Sequence, residues 1–302
     1  MSSIYEQNLN RLDANHVSQS PLSWIARAAD IYPNNIAVIH GKREFTWSET
    51  FERCRKLAHA LSKRGISKGD TVSIVATNIP SFYESLFGVA ATGAVINPIN
   101  IRLDAEAIAF ILAHGESKVI FVDTEFSGVV KQAIDKLETK PIVIDIADEL
   151  ASHHDQIGDI EYEDFLLEGE PDFTWKVPEN EWNPIALCYT SGTTGNPKGV
   201  VYHHRGAYLN ALGCALSWNM THHPVYLWTL PMFHCCGWTF PWTIAALAGT
   251  NICLRNINAK DIFEAIHTND VTHFCGAPIV LNFIANANEE EKKPLKRTVE
   301  VM

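Results

Sequence analysis

The chain has 302 residues, 46% of them hydrophobic and 20% charged, with a net charge of −11 at neutral pH. That is the balance of a globular protein able to bury a sizeable core, as one large domain or two ordinary ones. It excludes two classes: no basic stripe offers itself to a nucleic-acid backbone, and no uncharged apolar run reaches the roughly 18 residues of a membrane-spanning helix.

At the N-terminus, residues 1–6 have no basic stretch followed by an apolar core, so no secretory signal is expected. Residues 21–29 have helical spacing at Leu22, Ile25, Ala26 and Ala29, with Pro21 suited to a first turn. Residues 36–39 and 44–47 flank His40-Gly41-Lys42-Arg43 as a hairpin. Thr46 and Glu49 have capping-box spacing for a helix that places Phe51, Cys54, Leu57, Ala58 and Leu61 on one face and ends near Gly65. Strands at 71–76, 94–98, 119–122 and 142–144 then alternate with helices at 80–91, from the cap Asp104 to Ala113, and up to Leu137. Such alternation predicts an α/β fold with parallel pairing. Residues 148–183 are acidic, carry Gly158, Gly169, Pro171 and Pro178, and read as a solvated connector. Within it, the adjacent His153 and His154 have no partners at metal-ligand spacing and are expected to be exposed.

The stretch with chemistry follows. Tyr189-Thr190-Ser191-Gly192-Thr193-Thr194-Gly195-Asn196-Pro197-Lys198-Gly199 sits between two apolar runs, residues 185–188 and 200–202, each suited to a strand. Its glycines let the backbone approach an anion, its N–H groups and hydroxyls are donors to phosphate oxygens, and Lys198 adds a point charge. It reads as a triphosphate-binding loop, with a plain Gly/Ser/Thr-rich turn as the alternative. A Walker A loop is excluded, because Lys198 is followed by Gly199 and the segment opens towards a strand.

This string resembles the signature of the adenylate-forming (AMP-binding) superfamily, which includes acyl-CoA synthetases, luciferases and peptide-synthetase adenylation domains. It looks closest to fatty acyl-CoA synthetases. The resemblance implies layered, largely parallel sheets flanked by helices, and a loop holding the β- and γ-phosphates of ATP while a carboxylate attacks the α-phosphate. The phosphate ligands it implies are Thr190, Ser191, Gly192, Thr193, Thr194, Gly195 and Lys198, with Thr190 also able to contact Mg²⁺. Asn97-Pro98 and Asn100 to Asp104 match a stretch common in the superfamily's acyl-CoA ligases.

Beyond the loop, residues 208–218 read as a helix and 225–230 as a strand. Pro231-Met232-Phe233-His234-Cys235-Cys236-Gly237-Trp238 comes next. His234 with two cysteines suggests a metal site, but adjacent cysteines do not both bind one ion easily and no second cluster has usable spacing. The resemblance instead implies His234 beside the carboxylate substrate and the α-phosphate, where it orients an acid that is already ionised. Trp238 either gates an acyl tunnel, as the resemblance implies, or packs in the core. Residues 239–247 and 249–254 read as helix and strand, 261–268 as a helix with Ile262, Phe263 and Ile266 inward, and 271–275 as a strand. Gly276 and Ala277, before Pro278, either line the acyl side or merely start the helix over 279–285. Seven cysteines, odd in number and mostly in apolar sequence, suit buried reduced thiols in the cytoplasm.

Three parts are therefore expected: residues 1–147 as a first α/β subdomain, 148–183 as the connector, and 184–302 as a phosphate-loop and acyl-pocket subdomain. The adenine-binding, Mg²⁺-glutamate, ribose and catalytic-lysine motifs of the superfamily are not found. The expectation is the N-terminal portion of an incomplete AMP-binding domain, impaired when alone. The implied reaction is ATP-dependent ligation of a carboxylic acid, a fatty acid by resemblance, to coenzyme A. Aryl-CoA or carrier-protein ligation, and a non-catalytic nucleotide- or partner-binding module, stay open.

Overall fold

The computed structural model describes residues 3–153, 155–175, 177–190 and 197–302. In chain order the first elements are α1 (Leu22–Ile31), β1 (Ile36–His40), β2 (Arg43–Thr46), α2 (Trp47–Lys63), β3 (Thr71–Val75) and α3 (Pro80–Ala91). They continue as β4 (Val95–Pro98), α4 (Ala105–His114), β5 (Ser117–Asp123), α5 (Ser127–Ile134), β6 (Ile142–Ile146), β7 (Ile160–Glu161) and α6 (Tyr162–Leu167). The hairpin β8 (Pro184–Tyr189) and β9 (Gly199–His203) leads to α7 (His204–Ser217), β10 (Val225–Trp228) and a single turn, α8 (Cys235–Trp238). Last come α9 (Phe240–Ala246), β11 (Thr250–Cys253), α10 (Ala259–Asn269), β12 (His273–Phe274), α11 (Pro278–Ala285) and β13 (Glu300–Val301).

Among the described residues two sheets form, ordered β13-β12-β10-β11-β1-β2 and β7-β6-β5-β3-β4-β8-β9. Every described pairing is parallel except β1–β2 and β8–β9, both hairpins. The expected α/β class with largely parallel sheets holds. Each sheet nevertheless draws strands from both sides of the expected connector: β1 and β2 join the late strands, and β8 and β9 complete the early sheet. α3 contacts β1 of one sheet and β4 of the other, and every one of its residues is buried, as befits a helix enclosed on all sides. The capping box forms as expected, with Glu49 N donating to Thr46 Oγ1 at 3.2 Å and Thr46 N donating to Glu49 Oε2 at 2.8 Å.

Residues 148–183 depart from the solvated connector expected. They contribute β7 and α6, and Tyr162 and Phe165 are fully buried. Their acidity is spent on arginines from elsewhere: Glu163 pairs with Arg53 and Arg43, and Glu168 with Arg64. Asp148 is buried in a network that ties the sheets together. Arg255, just after β11, donates to Asp123 at 2.9 Å, to Asp148 at 2.8 Å and to Glu125, while His40 at the end of β1 donates to Asp148 at 2.9 Å. His153 is exposed as expected; His154 lies outside the described residues. Two helical readings shift: α7 begins at His204 rather than 208, and Phe263 on α10 is only half-buried. Among the described residues no helix is long and apolar enough to cross a membrane.

Candidate active site

The loop string is framed by an antiparallel hairpin in which Tyr189 pairs with Gly199. Thr190 N donates to Lys198 O at 3.0 Å, and Lys198 N donates to Thr190 Oγ1 at 3.4 Å, so these two residues close the loop at its neck. Ser191, Gly192, Thr193, Thr194 and Gly195 lie outside the described residues. The Lys198 side chain is exposed and forms no ion pair among the described residues. Tyr189 is anchored from the first half of the chain by its hydroxyl, 2.7 Å from Nδ1 of His114 at the end of α4.

The His234 segment is positioned by a residue the sequence reading missed. Asn78, 5% exposed between β3 and α3, donates Nδ2 to Trp228 O at 2.8 Å and Leu230 O at 3.1 Å. Its Oδ1 accepts Met232 N at 2.8 Å. Trp228 is further held by its indole N–H on Asn251 at 3.0 Å, and Thr229 by donation to Cys275 O at 2.6 Å. Only a polar residue after an apolar strand hints at Asn78; its partners lie some 150 residues away in sequence. Asn78→Ala orphans buried groups on β10 and its loop, and is expected to cost about 2 kcal/mol in urea unfolding with far-UV circular dichroism intact. Asn78→Asp, which turns a carboxylate toward two carbonyls, is expected to be at least as damaging.

After His234 the chain makes a left-handed turn. φ is +49° at Cys235, +46° at Cys236, +54° at Gly237, +52° at Trp238 and +65° at Thr239. Four of these residues carry a Cβ, and each such conformation costs roughly 1–2 kcal/mol. Strain of this kind gathers at functional sites. The turn is held from outside: Asn210 Nδ2 on α7 donates to Thr239 Oγ1 at 2.8 Å, and the Cys236 and Cys188 sulfurs are 3.2 Å apart.

The turn faces an open cleft of about 880 Å³. His234, Cys235 and Trp238 line one side, Tyr202 and His203 of β9 another, and Gly206, Asn210, Gly213 and Cys214 of α7 a third. The α7 wall was not legible, since a helix of small residues does not announce which face meets a cavity. Trp238 is 50% exposed in this cleft, which removes the core-packing alternative. Gly276 and Ala277 do not line it. Gly276 N donates to Met302 O at 2.8 Å, and it is Met302 that reaches the cleft, while Ala277 is exposed ahead of α11. All seven cysteines are free, and among the described residues no group of three His, Cys, Asp or Glu is placed to hold a metal ion.

The AMP-binding enzyme family matches residues 25–302. The chain belongs to that family. It is 49% identical to a peroxisomal acetate/butyrate–CoA ligase of Arabidopsis thaliana, over 98% of this chain and 54% of the relative. It is 47% identical to an acetate–CoA ligase of Humulus lupulus, over 96% and 53%, and 41% identical to a peroxisomal benzoate–CoA ligase of Arabidopsis thaliana, over 96% and 52%. The chain thus spans about half the length of the curated relatives it matches. Among solved structures, the N-terminal domain of a Mycobacterium tuberculosis protein, FACL13, bound to an inhibitor, superposes with a TM-score of 0.81 at 26% identity, over 92% of this chain and 68% of that one. An o-succinylbenzoate coenzyme A synthetase of Bacillus subtilis in complex with AMP shares the fold at 21% identity and a TM-score of 0.73, over 89% and 65%.

Proposed function

We propose that this chain carries the phosphate and acid ends of an AMP-forming carboxylate–CoA ligase. The observation behind this reading is the continuity of one wall: β9 leaves the Thr190–Lys198 neck and runs into the cleft that His234 and Trp238 line. In the first half-reaction a carboxylate oxygen attacks the α-phosphorus of ATP, giving acyl-AMP and pyrophosphate. In the second, the CoA thiol attacks the acyl carbonyl and AMP leaves with formation of the thioester.

Thr190, Ser191, Gly192, Thr193, Thr194, Gly195 and Lys198 hold the β- and γ-phosphates, offering donors and one positive charge where charge accumulates. Of the metal's ligands this chain offers the Thr190 hydroxyl, which suits Mg²⁺ because that ion takes most of its remaining oxygens from phosphates and water. His234 orients the acid and the α-phosphate, and Trp238 covers the acyl entrance. An acyl-side role for Gly276 would be exerted through Met302, whose carbonyl it holds, with Ala277 as its exposed neighbour in that role. As substrate we favour a small aliphatic acid over the fatty acid expected from resemblance, because the relatives at 47–49% identity are named for acetate and butyrate. For compartment, the relatives named peroxisomal favour that organelle over the cytoplasm expected from the cysteines.

The test is ATP binding and acid-dependent pyrophosphate release with acetate, butyrate, benzoate and a long-chain acid. Lys198→Ala is expected to weaken ATP binding at least about tenfold, the loss of one charge-assisted phosphate contact. His234→Ala is expected to lower release with little change in ATP binding. Binding indifferent to Lys198 sinks the phosphate-loop reading, and preference for benzoate moves the substrate to aryl acids.

A further inference from the structure

Two thiols without a part in that reading meet behind the cleft. Cys188 lies on β8 two residues before Thr190, and Cys236 lies in the left-handed turn two residues after His234. Their sulfurs are 3.2 Å apart and both residues are buried. A disulfide needs a sulfur–sulfur distance of about 2.05 Å, so the two sulfurs stand little more than about 1 Å from bonding distance. Contact with Cys188, and then burial, push the Cys236 thiol well above its usual range, so Cys236 waits as a protonated partner. Cys188 as a residue keeps 7% of its surface, against none for Cys236, so a small oxidant approaches the pair from the Cys188 side.

We propose that Cys188 and Cys236 form a redox modification site that a hydroperoxide converts to a disulfide. The Cys188 sulfur attacks the peroxide, the O–O bond breaks, the Cys188 thiol proton passes to the departing oxygen, which leaves as the alcohol (water, for hydrogen peroxide), and Cys188 becomes a sulfenic acid. The Cys236 sulfur then attacks that sulfur, the S–O bond breaks, and water leaves with the Cys236 proton. Two thiols are oxidised by two electrons and one peroxide is reduced. The bond fastens the strand entering the phosphate loop to the turn leaving His234. It stands independently of the ligase reading; only its consequence for ligation rests on that.

The experiment exposes the chain to hydrogen peroxide, blocks remaining thiols with N-ethylmaleimide, and maps non-reduced peptides after trypsin and chymotrypsin, with fragment ions assigning each sulfur. The expected product links Cys188 to Cys236 and is released by dithiothreitol, while buried Cys54 and Cys253 still alkylate after unfolding. Because the bond closes a loop of nearly fifty residues, the oxidised chain is expected to melt about 5 °C higher. Cys188→Ala and Cys236→Ala, each checked for folding by circular dichroism, should each abolish both the link and the rise, whereas Cys235→Ser and Cys214→Ser should keep both. Recovery of alkylated Cys188 and Cys236 from the oxidised chain, a dominant link through Cys235 or Cys214, or an unchanged melting temperature would overturn the proposal.

Discussion

Arg255→Met is expected to destabilise the fold by about 3–5 kcal/mol, the range for removing one member of a buried charge network. The Arg255 side chain, 3% exposed, forks its guanidinium across Asp123 at the end of β5, Glu125 just beyond it, and Asp148 after β6. Asp123 is fully buried and Asp148 nearly so. Methionine fills much of the volume but leaves these carboxylates facing one another without their cation. Arg255→Lys keeps a charge but loses the planar fork, so an intermediate loss is expected. Urea unfolding at neutral pH reads both. Acid should expose the same network in the unmutated chain. Burial by itself would raise the Asp148 carboxyl, yet the hydrogen bond and charge of His40, backbone donation from Leu150 and the charge of Arg255 bring it down to about 2. A carboxyl lowered on folding contributes stability that is present above its unfolded value, near 4, and is lost as pH falls toward 2. In Arg255→Met that carboxyl moves back up, so acid unfolding is expected to begin at higher pH. Superimposable acid transitions for the two chains would show that Arg255 does not hold Asp148.

What could be read from the sequence was local. The capping box at Thr46 and Glu49, the β1–β2 hairpin and the helix over 80–91 depend on residues a few positions apart, and each is present. The neck of the Thr190–Lys198 loop belongs with them, since β8 and β9 are adjacent in sequence as well as in space. Long-range pairing was not legible. Nothing in residues 36–40 says that their parallel neighbour is residues 250–253, more than two hundred positions on. The acidic stretch misled for a related reason: Asp148, Glu163 and Glu168 look like solvated charge until their arginine partners on distant elements are known. At the candidate site the residue types were visible, but not what supports them. Asn78 acts on the backbone of a segment it does not adjoin, and the left-handed turn contains one glycine among five residues, a composition that does not announce positive φ.

Gly237→Ala is expected to disrupt the His234 turn and cost about 3 kcal/mol, a left-handed penalty of roughly 1–2 plus an overpacking term of similar size. Gly237 has φ +54°, and a Cβ there would lie 2.7 Å from Cζ3 of Trp228. That ring cannot retreat. It is fully buried, its N–H is held by Asn251, and it packs against Tyr226 with ring centroids 4.9 Å apart. The backbone of the turn must therefore give, and it carries His234 and Trp238 with it. On the proposed ligase reading, misplacing a positioning group by about 1 Å costs on the order of 10²-fold in rate, so acid-dependent pyrophosphate release should fall further than the loss of stability explains. Cys235→Gly separates strain from contact: its φ of +49° costs glycine little, so this variant should be as stable as the parent or up to about 1 kcal/mol more stable. If Gly237→Ala melted with the parent while Cys235→Gly melted lower, the turn would not be left-handed in solution. If both follow the expected directions, the turn beside His234 is held in a strained conformation, with Trp228 packed against Gly237 and Asn210 bonded to Thr239.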